Sequence, residues 1–118
     1  MGRRVLIVED EAITAMAIAM ELEQAGHTVC DRLSAGEAVL ASVERCAPEV
    51  ILMDISLNGR IDGIEAVRRV RQRSDVPVIF MSGFDDEALL KRAMELHPLG
   101  FLDKPITMSE LVRLIEGA

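Results

Sequence analysis

Short, continuously apolar runs alternate with longer segments of helical period along the chain. The first run, Arg4–Val8 (RVLIV), has the composition of a strand buried on both faces. Residues 11–25 then carry helical spacing and are stopped by Gly26, a favourable residue just past a helix end. A weaker strand covers residues 27–33, and Ser34 with Glu37 makes a capping box that opens a second helix ending before Pro48. Residues 50–53 (VILM) are the clearest strand. After a polar turn, Asp62 with Glu65 opens a helix running to about Arg73. Pro77 precedes a strand at residues 78–81. Asp85, Asp86 and Glu87 crowd the first turn of the next helix, where the macrodipole favours negative charge, and that helix ends near His97-Pro98. A last strand spans residues 99–102. Thr107 with Glu110 caps the final helix, with Ile106 and Leu111 at the two positions of a hydrophobic staple.

Five strands alternating with five helices predict an α/β fold, a doubly wound parallel sheet covered on both faces with right-handed crossovers. The 118 residues fit one domain, residues 1–118, with no internal repeat or linker and nothing left over for a second domain. Only three residues are aromatic, all Phe, so the core must be aliphatic. The net charge of −7 argues against direct nucleic-acid binding, which calls for basic stripes. Arg68, Arg69, Arg71 and Arg73 read instead as the solvated face of one helix. Cys30 and Cys46 lack CxxC spacing, and two reduced, half-buried thiols fit a cytoplasmic protein. His27 and His97 lack metal-ligand spacing, and His97 reads as a cation near a helix C-terminus. The apolar stretch after Arg3-Arg4 is too short for a secretory signal. No run approaches the roughly 18 residues of a membrane span.

Four polar clusters follow the apolar runs: Glu9-Asp10-Glu11, Asp54, Ser82 and Lys104. In a parallel sheet they share one edge, the edge where open α/β sheets place ligands. Carboxylates crowded there raise one another's pKa unless a cation neutralises them. Magnesium suits such a set because it prefers oxygen ligands and combines carboxylates with a phosphate oxygen. Asp54 beside it can attack phosphorus and become an aspartyl phosphate, with Lys104 balancing charge and Ser82 donating a hydrogen bond to a phosphoryl oxygen.

The segments Val5-Leu-Ile-Val-Glu-Asp-Glu11, Val50-Ile-Leu-Met-Asp54, Asp62-Gly-Ile-Glu65, Val78-Ile-Phe-Met-Ser82 and Gly100-Phe-Leu-Asp-Lys-Pro105 resemble, in order and spacing, the receiver domain of two-component response regulators. The resemblance implies a flavodoxin-like sheet of order 2-1-3-4-5. It implies phosphotransfer to Asp54 from a sensor histidine kinase or a histidine phosphotransfer protein, followed by signalling to a downstream effector. It places the metal (Mg2+, with Mn2+ as a substitute) on Glu9, Asp10, Asp54 and the backbone carbonyl of Ser56. Lys104 falls at the family's lysine position, Ser82 at the switch hydroxyl and Phe101 at the switch aromatic, and the Lys104-Pro105 bond is expected to be cis. A homodimer through the face of the fourth and fifth helices is a further implication.

Two features depart from the family's pattern. The turn from Asp54 to Asp62 lacks the usual Met-Pro and is one residue longer, and Phe101 has no hydroxyl, so an inward swing changes packing rather than hydrogen bonding. Phe101 therefore reads as a switch residue or as a plain core aromatic. The segment Ala15-Met-Ala-Ile-Ala-Met20 is apolar on every face, which fits either a phosphodonor docking surface or a thickly buried helix; a charge at Ala15 or Ala19 would separate the two. The alternative function is a haloacid-dehalogenase-like, magnesium-dependent phosphatase or phosphotransferase. Such an enzyme needs an acid/base carboxylate two residues after its nucleophile, where this chain has Ser56. No glycine-rich phosphate loop follows the first strand, which disfavours a nucleotide-binding module. The expected role is regulatory, with self-phosphotransfer and autodephosphorylation the only chemistry.

Overall fold

Five parallel strands form one sheet in the order β2-β1-β3-β4-β5: β1 (Arg4–Val8), β2 (Thr28–Leu33), β3 (Val50–Asp54), β4 (Val78–Ser82) and β5 (Gly100–Asp103). They are linked by α1 (Ala12–Gln24), α2 (Val39–Cys46), α3 (Gly63–Arg71), α4 (Glu87–Met94) and α5 (Met108–Glu116). The computed structural model describes residues 2–83 and 87–118. The acidic first turn expected at Asp85 and Asp86 lies outside the described residues, and Glu87 opens α4.

Side-chain alternation along the strands divides the aliphatic residues between two cores. Leu6, Val8, Ile51, Met53, Val78 and Phe80 face α2, α3 and α4, while Val5, Ile7, Val50, Leu52, Ile79 and Met81 face α1 and α5. With both faces covered, β3 and β4 are buried along their whole length. That is why the central strands read as unbroken apolar runs. Cys30 is the extra residue of a bulge: Val5 pairs with Val29, and Leu6 with Asp31. Cys30 and Cys46 are free and half-buried, and the Cys46 thiol donates to the Cys30 carbonyl at 3.4 Å.

Local caps follow the sequence in part. Gly26 has φ +94 after α1, and the Asp62 carboxylate accepts the Glu65 N–H at 2.9 Å. The box expected from Ser34 and Glu37 does not form. A 3-10 turn, Gly36–Ala38, precedes α2 with no side-chain cap, and Glu37 accepts the N–H of Ile61 instead. Thr107 stands at the N-cap of α5 without a side-chain bond, whereas Ile106 and Leu111 both join the α1–α5 core as the staple requires. Beyond α4, His97 adopts a left-handed φ of 53 and donates its N–H to Met94, so it ends the helix through its backbone conformation. His27 is buried, and its Nδ1 accepts the Arg3 N–H at 3.0 Å. Arg71 leaves the solvated face expected for it and donates to the carbonyls of Val76 and Leu96.

One close approach fixes the site's scaffold. A Cβ on Gly63 would lie 2.2 Å from the carbonyl oxygen of Asp54 and 2.9 Å from the Ile55 Cα. Gly63 also donates its N–H to the Ile55 carbonyl at 3.0 Å, so α3 starts directly against the end of β3. Gly63→Ala should destabilise the fold by about 1–3 kcal/mol, the usual cost of forcing extra volume into a packed position. Urea denaturation checks this, and an unchanged midpoint would mean that the two backbones are not in contact.

Candidate functional site

Parallel register brings the four clusters together. Val8 pairs with Met53, so the next residues on those strands, Glu9 and Asp54, emerge side by side. Asp54 pairs with Met81, one residue before Ser82, and Ser82 pairs with Asp103, one residue before Lys104. Asp54 and Ser82 thus end their strands rather than following them. The ladder extends past both, because Ile55 donates its N–H to Met81 and Lys104 donates its own to Ser82. The Lys104-Pro105 peptide is cis.

Glu9 and Asp54 are each only 2 % exposed, an unusual burial for two carboxyl groups so near each other. Lys104 reaches both: its Nζ lies 2.7 Å from Glu9 Oε1 and 3.2 Å from Asp54 Oδ2, with Glu11 Oε1 at 3.9 Å. The remaining oxygens are held by backbone donors. Glu9 Oε2 accepts the Glu11 N–H at 3.1 Å, Asp54 Oδ1 the Ser56 N–H at 3.0 Å, and Asp10 Oδ2 the Asn58 N–H at 3.0 Å. Burial pushes the Glu9 carboxyl up to about 7, against the pull of Lys104 and the Glu11 N–H, and neighbouring Asp54 adds to the rise. Burial alone would lower the Lys104 ammonium; Glu9 and Asp54 outweigh it and hold Lys104 above the usual lysine range.

One carboxylate oxygen from each of Glu9, Asp10 and Asp54 lies within 4.8 Å of the other two. A set of hard oxygen donors with surplus negative charge fits a magnesium-like cation. Ser56 follows Asp54 as a half-buried residue, and Ser82 is buried at the end of β4. Phe101 sits one strand further out, paired across the ladder with Phe80 and partly buried, with the ring centroids 6.5 Å apart. Asn58 joins the site through its backbone, a contact with Asp10 that its side chain does not signal. Glu37, expected to cap α2, instead holds the Ile61 N–H of the loop after β3.

A groove of about 560 Å³ adjoins the site between α1 and the segment after β5, lined by Glu11, Ile13, Ala17, Lys104, Ile106 and Met108 among others. The α1 helix is not apolar towards the core on every side. Ala15, Ile18, Ala19 and Leu22 are buried, whereas Ile13, Met16 and Met20 are 83 %, 49 % and 55 % exposed. A charge at Ala15 or Ala19 would therefore disrupt the core rather than probe a surface.

A family model described as the response regulator receiver domain matches residues 5–116. The transcriptional regulatory protein PdtaR of Mycobacterium tuberculosis is 31 % identical over 98 % of this chain, and the chain spans 56 % of that relative's length. Among solved structures, the signal receiver domain of a modulated diguanylate cyclase from Desulfovibrio desulfuricans G20 is 33 % identical. It has a TM-score of 0.93, with all of this chain and 94 % of that one covered. The N-terminal domain of a response regulator/sensory box/GGDEF three-domain protein from Carboxydothermus hydrogenoformans is 31 % identical with a TM-score of 0.87, covering 98 % of this chain and 92 % of that one. None of these relatives supports the dehalogenase-type alternative. Among the described residues no helix is long and apolar enough to cross a membrane. With the receiver model matching from the first strand into the last helix, the chain belongs to the response regulator receiver family, the regulatory modules of two-component signalling.

Proposed function

We propose that this chain is a phosphoacceptor receiver, working in the cytoplasm, in which Asp54 takes a phosphoryl group from the phosphohistidine of a sensor kinase or histidine phosphotransfer protein. The observation that carries this reading is the buried Asp54 carboxylate, 3.2 Å from the Lys104 ammonium and grouped with the Glu9 and Asp10 oxygens. In the transfer, an Asp54 oxygen forms a bond to phosphorus as the phosphorus–nitrogen bond breaks, and the leaving imidazole nitrogen takes a proton. Such transfers depend on positioning and on stabilising developing charge. Lys104 would follow the negative charge from the carboxylates to the phosphoryl oxygens, and the Ser82 hydroxyl would donate to one of them. Glu9, Asp10, Asp54 and the Ser56 carbonyl would hold Mg2+, or Mn2+ in its place, which when bound offsets the charge of the carboxylates and of the incoming group.

A phosphoryl group adds charge and acceptor oxygens to the end of β3. Movement of Ser82 towards it would open space beside β5, and an inward turn of the partly buried Phe101 would repack the face of β5 and α4. Leu90, Met94 and Leu99 leave apolar surface on that side, 42 %, 50 % and 36 % exposed, which suits an effector protein or a second copy of the chain. Ile13 lines the groove that ends at Lys104, and Met16 and Met20 continue the exposed apolar surface of α1 on the side nearer β2; this surface suits an apolar helix that brings a histidine to Asp54.

Incubation with acetyl phosphate and magnesium should add one phosphoryl group by intact mass to the wild type and none to Asp54→Asn; an unmodified wild type, or an equally modified variant, would reject the assignment. Docking has its own test. Ile13→Glu and Met16→Glu should slow transfer from the partner histidine protein on the order of tenfold, as loss of a buried apolar anchor does. Acetyl phosphate should still modify both variants at the wild-type rate, and equal slowing with both donors would remove the docking role.

The raised Glu9 carboxyl sets a pH dependence. Glu9 stays protonated in the folded, metal-free chain up to about 7, above its ordinary value of 4.5. The folded state therefore binds this proton more tightly than the unfolded state, and stability falls as pH rises across that window. A cation needs the deprotonated form, so magnesium binding should release a proton and weaken by up to about tenfold per unit as pH falls below 7. Calorimetry in buffers of different ionisation enthalpy reads both effects. Glu9→Gln should abolish them, and a wild-type affinity flat across that range would contradict the assignment.

A further inference from the structure

The loop between β3 and α3, residues 55–62, carries Gly59 at φ +136 and contains no proline, so nothing in its own sequence stiffens it. It is nevertheless tied down at several points. Ser56 donates its N–H to Asp54 Oδ1, Leu57 is buried in the α2–α4 core, Asn58 donates its N–H to Asp10 Oδ2, and Ile61 donates its N–H to Glu37 Oε1 at 3.0 Å. The last tie comes from outside the site, from the 3-10 turn that leads into α2. Gly36 lets that turn and the loop approach each other closely. A Cβ on Gly36 would lie 2.8 Å from the Ile61 side chain and 3.2 Å from its carbonyl, and a Cβ on Gly59 would lie 3.4 Å from Glu37 Oε1.

We infer that Glu37 is a positioning residue for phosphorylation: by holding Ile61 it fixes the loop so that the Asn58 N–H orients Asp10 for the cation. The inference rests on the receiver reading and deepens it. Asp10 Oδ2 accepts the Asn58 N–H, which fixes the carboxylate whose oxygen lies within 4.8 Å of those of Glu9 and Asp54. The Asn58 N–H keeps that hold only while the loop's path is fixed, and Glu37 anchors that path from outside the loop, at Ile61. An oxygen acceptor is what the role requires. A full negative charge at residue 37 is not required.

The test compares wild type, Glu37→Ala and Glu37→Gln. Residue 37 is exposed, so neither substitution opens the core. Magnesium affinity by calorimetry should weaken on the order of tenfold in Glu37→Ala, as when a partner that orients a metal ligand is lost. Amide exchange should quicken at Asn58 and Ile61 in the same variant, while phosphoryl uptake at saturating magnesium stays near wild type. Glu37→Gln still offers an oxygen to the Ile61 N–H and should restore affinity to within about twofold. Wild-type affinity in Glu37→Ala, or a Glu37→Gln chain as weak as Glu37→Ala, would overturn the inference while leaving the receiver reading standing. A wild-type chain that binds no magnesium would overturn both.

Discussion

A single ammonium group holds the functional edge of this molecule together. Glu9 and Asp54 are carboxyl groups taken almost wholly out of water, and Lys104 bridges them at 2.7 and 3.2 Å. Like charges so placed repel, and burial penalises each of them. The Glu9 carboxyl responds by rising to about 7. Removing one partner from such a cluster leaves charge buried without compensation. The cluster therefore stands in a strained electrostatic balance, which added positive charge relieves and a phosphoryl group would redistribute. Lys104 can serve three strands because β5 delivers it to the edge that β1 and β3 also reach. Its own N–H is fixed to the Ser82 carbonyl.

The sheet imposes this arrangement on the sequence. Covering both faces leaves the strand ends as the place where polar side chains can gather, and parallel pairing puts all the C-terminal ends on one side. The two cores then divide the labour. Against α2, α3 and α4 lies the face that carries Phe80 and its neighbour Phe101. Against α1 and α5 lies the other, and α1 gives it small residues, Ala15 and Ala19 with Ile18 and Leu22. Its long apolar side chains, Ile13, Met16 and Met20, turn outward, Ile13 into the groove beside the site. An apolar surface of flexible methionines can conform to more than one helical partner.

Much of this was legible in the sequence because the decisive signals are local. Unbroken runs such as VILM mark buried strands, Gly26 marks a helix end, and the Asp62–Glu65 pair marks a helix start that forms as expected. The misreadings came where a distant partner outcompeted a near one. Glu37 has the spacing of a capping partner for Ser34, yet it bonds Ile61, 24 residues away. Arg71 follows the pattern of an exposed arginine face, yet the carbonyls of Val76, ahead of β4, and Leu96, past the end of α4, draw it inward. Ala15 and Ala19 could not be sorted from Met16 and Met20 by hydropathy, because α1 is apolar all round and only packing decides its orientation. The Asn58–Asp10 contact was invisible because a backbone N–H carries no sequence signature.

A crystal structure of the chain with magnesium and beryllofluoride tests the central claim most directly. The account predicts beryllium bonded to an Asp54 oxygen, Lys104 Nζ drawn from Glu9 towards a fluoride, and the cation among Glu9, Asp10 and Asp54. Asp54 left free with Lys104 still bridging it to Glu9, or a cation bound elsewhere, would contradict it.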